Sequence, residues 1–102
     1  MQFSSFGDFY HFYLGEHRKF GTRLFHFLGT SFFFLFLGLA VSKGNGWLVG
    51  CGIVTAYGLA WVSHYFIEKN RPATFRYPLY SLAGDFRMFF ELLTGRLPFH
   101  QM

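Results

Sequence analysis

Apolar positions gather into two long runs with one short polar break between them. Residues 24–42 and 47–67 contain no charged side chain, and about 20 predominantly apolar residues suffice to cross the hydrocarbon of a bilayer. Lys43, Gly44, Asn45 and Gly46 separate the runs and read as a turn. So short a connection makes the two helices antiparallel neighbours. Ahead of them Phe6, Phe9, Tyr10, Tyr13, Leu14 and His17 recur at helical spacing, while His11, Phe12, Glu16, Arg18 and Lys19 lie off that stripe. Ser5 with Asp8 forms a capping box, and the spacing predicts an amphipathic helix over about 5–19, lying on a membrane surface or against the spans. Gly21 breaks it and Thr22 caps the next helix. Beyond the second run Pro72 ends the helix, and 73–84, with Pro78 and Gly84, reads as an ordered loop. Phe86, Phe89, Phe90 and Leu93 then repeat at i, i+3, i+4 and i+7. They predict a short helix over about 85–94, capped by Asp85 and stopped by Gly95. The expected fold is an all-α membrane protein with a single domain over 1–102. A two-span antiparallel transmembrane hairpin, about 23–42 and 47–69, is flanked by amphipathic interfacial helices.

Composition supports lipid as the solvent. Of 102 residues 52% are hydrophobic and 25% aromatic, and only 14% are charged, against roughly 25% in a soluble domain. Seventeen Phe residues exceed what so small a water-soluble core can hide. The net charge is +4, yet Lys and Arg never run beyond two in a row. That excludes a nucleic-acid groove and suits basic loops on an anionic membrane. Cys51 is alone and forms no internal disulfide. Basic residues gather before the first run (Arg18, Lys19, Arg23) and after the second (Lys69, Arg71, Arg76), with only Lys43 in the turn. Both termini are therefore expected in the cytoplasm, in a bacterial inner membrane or, in a eukaryote, the endoplasmic reticulum. No basic-then-apolar order marks a cleaved signal, so the first span serves as its own insertion signal.

Histidine carries the candidate chemistry. His26 lies one turn inside the start of the first run and His64 one turn inside the end of the second. In an antiparallel hairpin the two share a depth, and His17 closes the stripe of the preceding helix at the same level. Glu68 follows His64 at i+4 and shares its helix face. That ridge continues as Ala60, Ala56 and Gly52, small residues that admit a close helix neighbour. Two or three histidines with a carboxylate can bind non-haem iron with open positions, or zinc. His17 and His26 converge only if the chain bends at Gly21. A helix-packing membrane module without catalysis and a haem-binding electron carrier both stay open on these residues. His11 and His100 read as bystanders, and Asp85 reads as a cap rather than a ligand.

These residues also carry a resemblance. The segment 9–30, FYHFYLGEHRKFGTRLFHFLGT, resembles the YL-x-x-H and R-x-x-H-x-x-G-T element of the small membrane family of 2-hydroxy fatty acid dioxygenases. The segment 60–89 is similar to that family's second element, H-x-x-x-E-x-x-x-P-A, and the likeness runs over about 3–97. The resemblance implies an Fe(II)-dependent dioxygenase that shortens a long-chain 2-hydroxy fatty acid by one carbon, with dioxygen as co-substrate, within membrane lipid. It implies His17, His26 and His64 as iron ligands, with Glu68 as a further ligand or an orienting group. Arg18, Arg23, Arg71 and Arg76 lie where a substrate carboxylate would arrive. A homo-oligomer is left open.

Overall fold

The computed structural model describes residues 3–99. Helix α1 (Phe6–Gly15) is followed by α2 (Phe20–Lys43) and α3 (Trp47–Val62). A π-helical turn, Ser63–Glu68, prolongs α3, a 3-10 turn covers Ala73–Phe75, and α4 spans Pro78–Leu93. No strand occurs among the described residues. Two helices, Phe20–Lys43 and Trp47–Glu68, are long and apolar enough to cross a membrane. At about 1.5 Å per residue the first is about 36 Å long, and the pair sets the 41 Å long axis.

The hairpin turn forms as its residues dictate. Gly44 takes a left-handed conformation (φ 62°), and the Asn45 amide donates to the Ala40 carbonyl at 3.0 Å, closing the end of α2. The Asn45 side chain then accepts from the Trp47 amide at 3.0 Å and starts α3. The two helices meet along the small-residue ridge. A Cβ on Gly29 would lie 3.0 Å from the Ala56 carbonyl, and one on Gly52 would lie 3.0 Å from Phe36 Cβ. The ridge is therefore occupied inside the hairpin. Leu35, Val41 and Val54 point outward and are largely exposed.

The compact core lies beside the hairpin rather than within it. Phe9, Tyr10 and Tyr13 of α1 pack with Ala73 and with Met88 and Leu92 of α4. Ser5 caps α1 as expected, accepting from the Asp8 amide at 3.2 Å. The stripe of α1 thus faces α4.

Four local expectations are corrected. Helix α1 ends at Gly15, and the bend occupies 16–19 rather than Gly21. Gly21 instead lies inside α2, where its missing side chain admits Ile67. Thr22 does not cap α2, because it is fully buried within the helix. The amide of the N-cap residue is satisfied from a distance, Lys19 N–H donating to Glu68 Oε1 at 2.6 Å. Finally, α4 begins at Pro78 and runs through Gly84, with Asp85 at mid-helix rather than at its cap. Proline is well suited to the first turn of a helix, where its missing N–H costs nothing. Gly84 is there because Tyr13 presses on it, 3.0 Å from where a Cβ would sit. The buried face of α4 is accordingly Ser81, Gly84, Met88, Phe89 and Leu92, while Phe90 and Leu93 are exposed. Phe86 and Phe89 reach across to α2, with ring centroids 5.8 Å from Phe34 and 5.0 Å from Phe27 respectively. Helix α4 therefore leans along α2 for about two turns.

Candidate metal centre

The bend at 16–19 folds His17 back over the start of α2, and antiparallel packing brings His64 alongside His26. His17, His26 and His64 are all buried, and one ring nitrogen from each lies within 4.8 Å of the other two. The rings stand nearly perpendicular to one another, at 82°, 83° and 87°, with centroids 4.4, 4.4 and 5.1 Å apart.

Two of the three tautomers follow from hydrogen bonding. His17 Nδ1 lies 2.7 Å from the Tyr13 carbonyl, which can only accept. Nδ1 therefore carries the proton and Nε2 offers a lone pair. His64 Nδ1 lies 2.7 Å from Asn70 Oδ1. The Asn70 amide orientation is fixed because its Nδ2 donates to the Glu16 carbonyl at 3.1 Å. His64 Nδ1 must then donate, leaving Nε2 free as a ligand. A π-helical turn and a left-handed Lys69 (φ 64°) reverse the chain so that Asn70 reaches back to the histidine. His26 Nε2 is buried without any hydrogen-bond partner. A buried imidazole nitrogen with no partner is costly unless something binds it. The donor set therefore fits a transition metal: three imidazoles, with lone pairs free on Nε2 of His17 and His64 and an orphaned Nε2 on His26.

Electrostatics favour the same state. Burial, and then the neighbouring His26 and His64, hold His17 well below the ordinary 6.5, so its imidazole is neutral and able to ligate. Asp85 lies beside the cluster, with Oδ1 3.5 Å from His26 Nδ1. Burial raises its carboxyl above the ordinary range, opposed by the hydrogen bond that Tyr13 O–H donates to it. Burial, and then Asp85, push the Tyr13 phenol well above 10, which keeps it a donor. The Tyr13 ring stacks on His17 at 3.9 Å.

Two cavities meet at this cluster. A chamber of about 10 Å³ is lined by His17, His26, His64, Tyr13 and Asp85 among others, room for about one small ion or water. It shares His26, Tyr57, Ala60 and Asp85 with a larger cavity of about 300 Å³. That cavity is otherwise lined by Thr30, Phe33, Ile53, Ala56, Leu82 and Phe86, and it runs between α2, α3 and α4.

The remaining candidates lie apart from the three rings. Glu68 accepts from Lys19 at the start of α2. Arg23 is fully buried, its Nε donating to the His17 carbonyl at 2.5 Å and its Nη1 to the Pro98 carbonyl at 2.7 Å. It therefore clamps the loop that positions His17. Arg18, Arg71 and Arg76 are exposed, the last two lying over the rings of Phe75 and Tyr77. His11 is exposed on α1, and His100 lies outside the described residues. Spacing places Tyr13 only in the apolar stripe of α1 and Asp85 only at a helix cap, and it does not mark Asn70. Asp85 did leave a signal, since on the full extent of α4 it is an acid on a face otherwise of Ser81, Met88 and Leu92.

Fold and cluster together define a small helical protein, with two helices apolar enough to cross a membrane and a buried three-histidine centre able to hold a metal ion. A family model described as 2-hydroxy-palmitic acid dioxygenase Mpo1-like matches residues 3–97, and the chain belongs to that family. Searches of curated proteins and of solved structures return no match.

Proposed function

We propose that the chain is a membrane-embedded Fe(II)-dependent dioxygenase that shortens a long-chain 2-hydroxy fatty acid by one carbon. The observation that carries this reading is the convergence of three buried histidines at one end of an apolar cavity. The family description points to the same chemistry. The balanced reaction converts R–CH(OH)–COOH and O₂ into R–COOH, CO₂ and H₂O. The C1–C2 bond breaks, and C2 is oxidised to the new carboxyl.

His17, His26 and His64 would hold the metal through Nε2, with the Tyr13 carbonyl and Asn70 fixing two of the rings. When bound there, Fe(II) supplies the redox activation of dioxygen that Zn(II) lacks. The cavity walls take the acyl chain and keep water from the reacting carbons. Exposed Arg18, Arg71 and Arg76 draw the anionic substrate to this side of the membrane. Helices α2 and α3 cross the bilayer, and α1 and α4 cover the cytoplasmic side. The chamber is far too small for a porphyrin, which disfavours a haem carrier, and the ridge that a partner helix would need is already filled by α2.

The test is turnover by purified protein given Fe(II), dioxygen and a long-chain 2-hydroxy acid. A product one carbon shorter is expected, with none from the unhydroxylated or 3-hydroxy acid and none with Zn(II). His64→Ala should abolish it, which separates enzyme from free iron. Fully metallated wild type that leaves 2-hydroxy acids of several lengths unchanged under air would sink the reading.

A further inference from the structure

We infer that Asp85 is the positioning residue of His26, and that Tyr13 holds it in that role. The inference rests on the metal-centre reading above. Metal-binding histidines generally donate their second ring N–H to a partner that fixes the tautomer and raises ligand basicity. Here two such partners are in place, the Tyr13 carbonyl for His17 and Asn70 Oδ1 for His64. His26 has one acceptor facing its Nδ1, Asp85 Oδ1 at 3.5 Å. At that separation the two atoms face one another, and closing a hydrogen bond of ordinary length takes a shift of about 0.5 Å. With Nδ1–H turned to Asp85, the partnerless Nε2 of His26 becomes the metal-facing atom.

The carboxylate is itself anchored. Tyr13 O–H donates to the same Oδ1, and the Tyr13 ring is wedged between His17 and Gly84. Tyr13 therefore governs two ligands at once, His17 through its carbonyl and His26 through Asp85. Among the three outer partners Asp85 is the one able to carry charge, so it adds electrostatic support that an amide or a carbonyl cannot. Its place on α4 makes that helix a working part of the centre.

The full chain in detergent micelles, stripped of metal, is titrated with Co(II), whose visible absorption reports affinity and ligand number together. Asp85→Asn should weaken Co(II) binding by about 10–100-fold with the spectral shape retained. Nitrogen-15 spectra of the Zn(II)-loaded protein should show His26 bound through Nε2 in the wild type and a mixture of tautomers in the variant. Tyr13→Phe keeps the carboxylate but removes its anchor, and should weaken binding by a smaller factor. It also serves should Asp85→Asn fail to fold. The double variant should lose less than the two single losses combined. Wild type that binds no Co(II) overturns the metal centre itself. Wild type that binds while both variants match it within about twofold, with the His26 tautomer unchanged, overturns only the role of Asp85. A changed spectral shape in Asp85→Asn also overturns it, since Asp85 would then be a direct ligand.

Discussion

Burial makes His17 a source of acid sensitivity in the fold as well as a candidate ligand. Its imidazole is held well below 6.5, so the folded protein keeps it neutral while the unfolded chain takes up a proton from that pH downward. Stability rises with pH wherever the unfolded state binds more protons, so this residue's contribution is lost as pH falls below about 6.5. Asp85 acts with the opposite sign. Its folded carboxyl is raised above 3.8, so acid relieves a buried charge. Comparison with a variant lacking the imidazole separates the two effects. The melting temperature of metal-free protein, followed from about pH 8 to about pH 5, should fall more steeply in wild type than in His17→Gln. Parallel curves would show that His17 titrates alike in both states. Arg23 is the other residue whose task is internal. Bound to the carbonyls of His17 and Pro98, it ties the metal-side loop to the C-terminal segment.

At the scale of elements, the docking of α4 on α1 brings Asp85 to Tyr13 beside the three histidines. Gly84 and Asp85 are adjacent on α4 and both meet Tyr13. A Cβ at position 84 would stand 3.0 Å from the Tyr13 ring, which cannot retreat because it is stacked on His17 and bonded through its hydroxyl. Gly84→Val should cost about 1–3 kcal/mol through overpacking, more than any gain in helix propensity. Metal affinity should fall with it, measured by chemical unfolding and Co(II) titration of the same preparation. A variant as stable as wild type would mean that α4 can slide without consequence. In the hairpin, Gly29 against Ala56 sets a similar close approach, and it keeps His26 and His64 on facing surfaces.

For the molecule as a whole, two apolar helices and an adjoining capped core give one end rich in polar chemistry and one bare end at the turn. The proposed orientation places residue 45 outside the cytoplasm and the C-terminus inside, which reporter fusions at both points will check. A cytoplasmic turn would reverse the side from which substrate arrives. The 300 Å³ cavity is the second whole-molecule feature, because it needs α2, α3 and α4 together. Ile53→Trp enlarges its wall about three helical turns away from His64. Metal content should be unchanged, while turnover of long-chain 2-hydroxy acids drops at least about tenfold through misplacement of the chain. Equal turnover in that variant would place the acyl chain elsewhere.

What the sequence determined by itself is what chain neighbours determine. Unbroken apolar runs, a Gly-Asn-Gly turn and a ridge of small residues are local patterns, and each reappears in the fold, as does the helical stripe from Phe6 to Leu14, while His17 falls in the bend beyond it. The common level of His17, His26 and His64 followed from an antiparallel hairpin, and the structure does gather those three. Glu68 shared a helix face with His64 in sequence, yet it accepts from the Lys19 amide at the N-cap of α2. The rest required contacts across long separations. Tyr13 meets Asp85 across 72 positions, and Asn70 meets Glu16 across 54. No periodicity encodes which acid is drawn into a core or which nitrogen of a histidine is left bare. Those choices belong to the tertiary structure, because burying a polar atom forces it to take whichever partner the packing brings within reach.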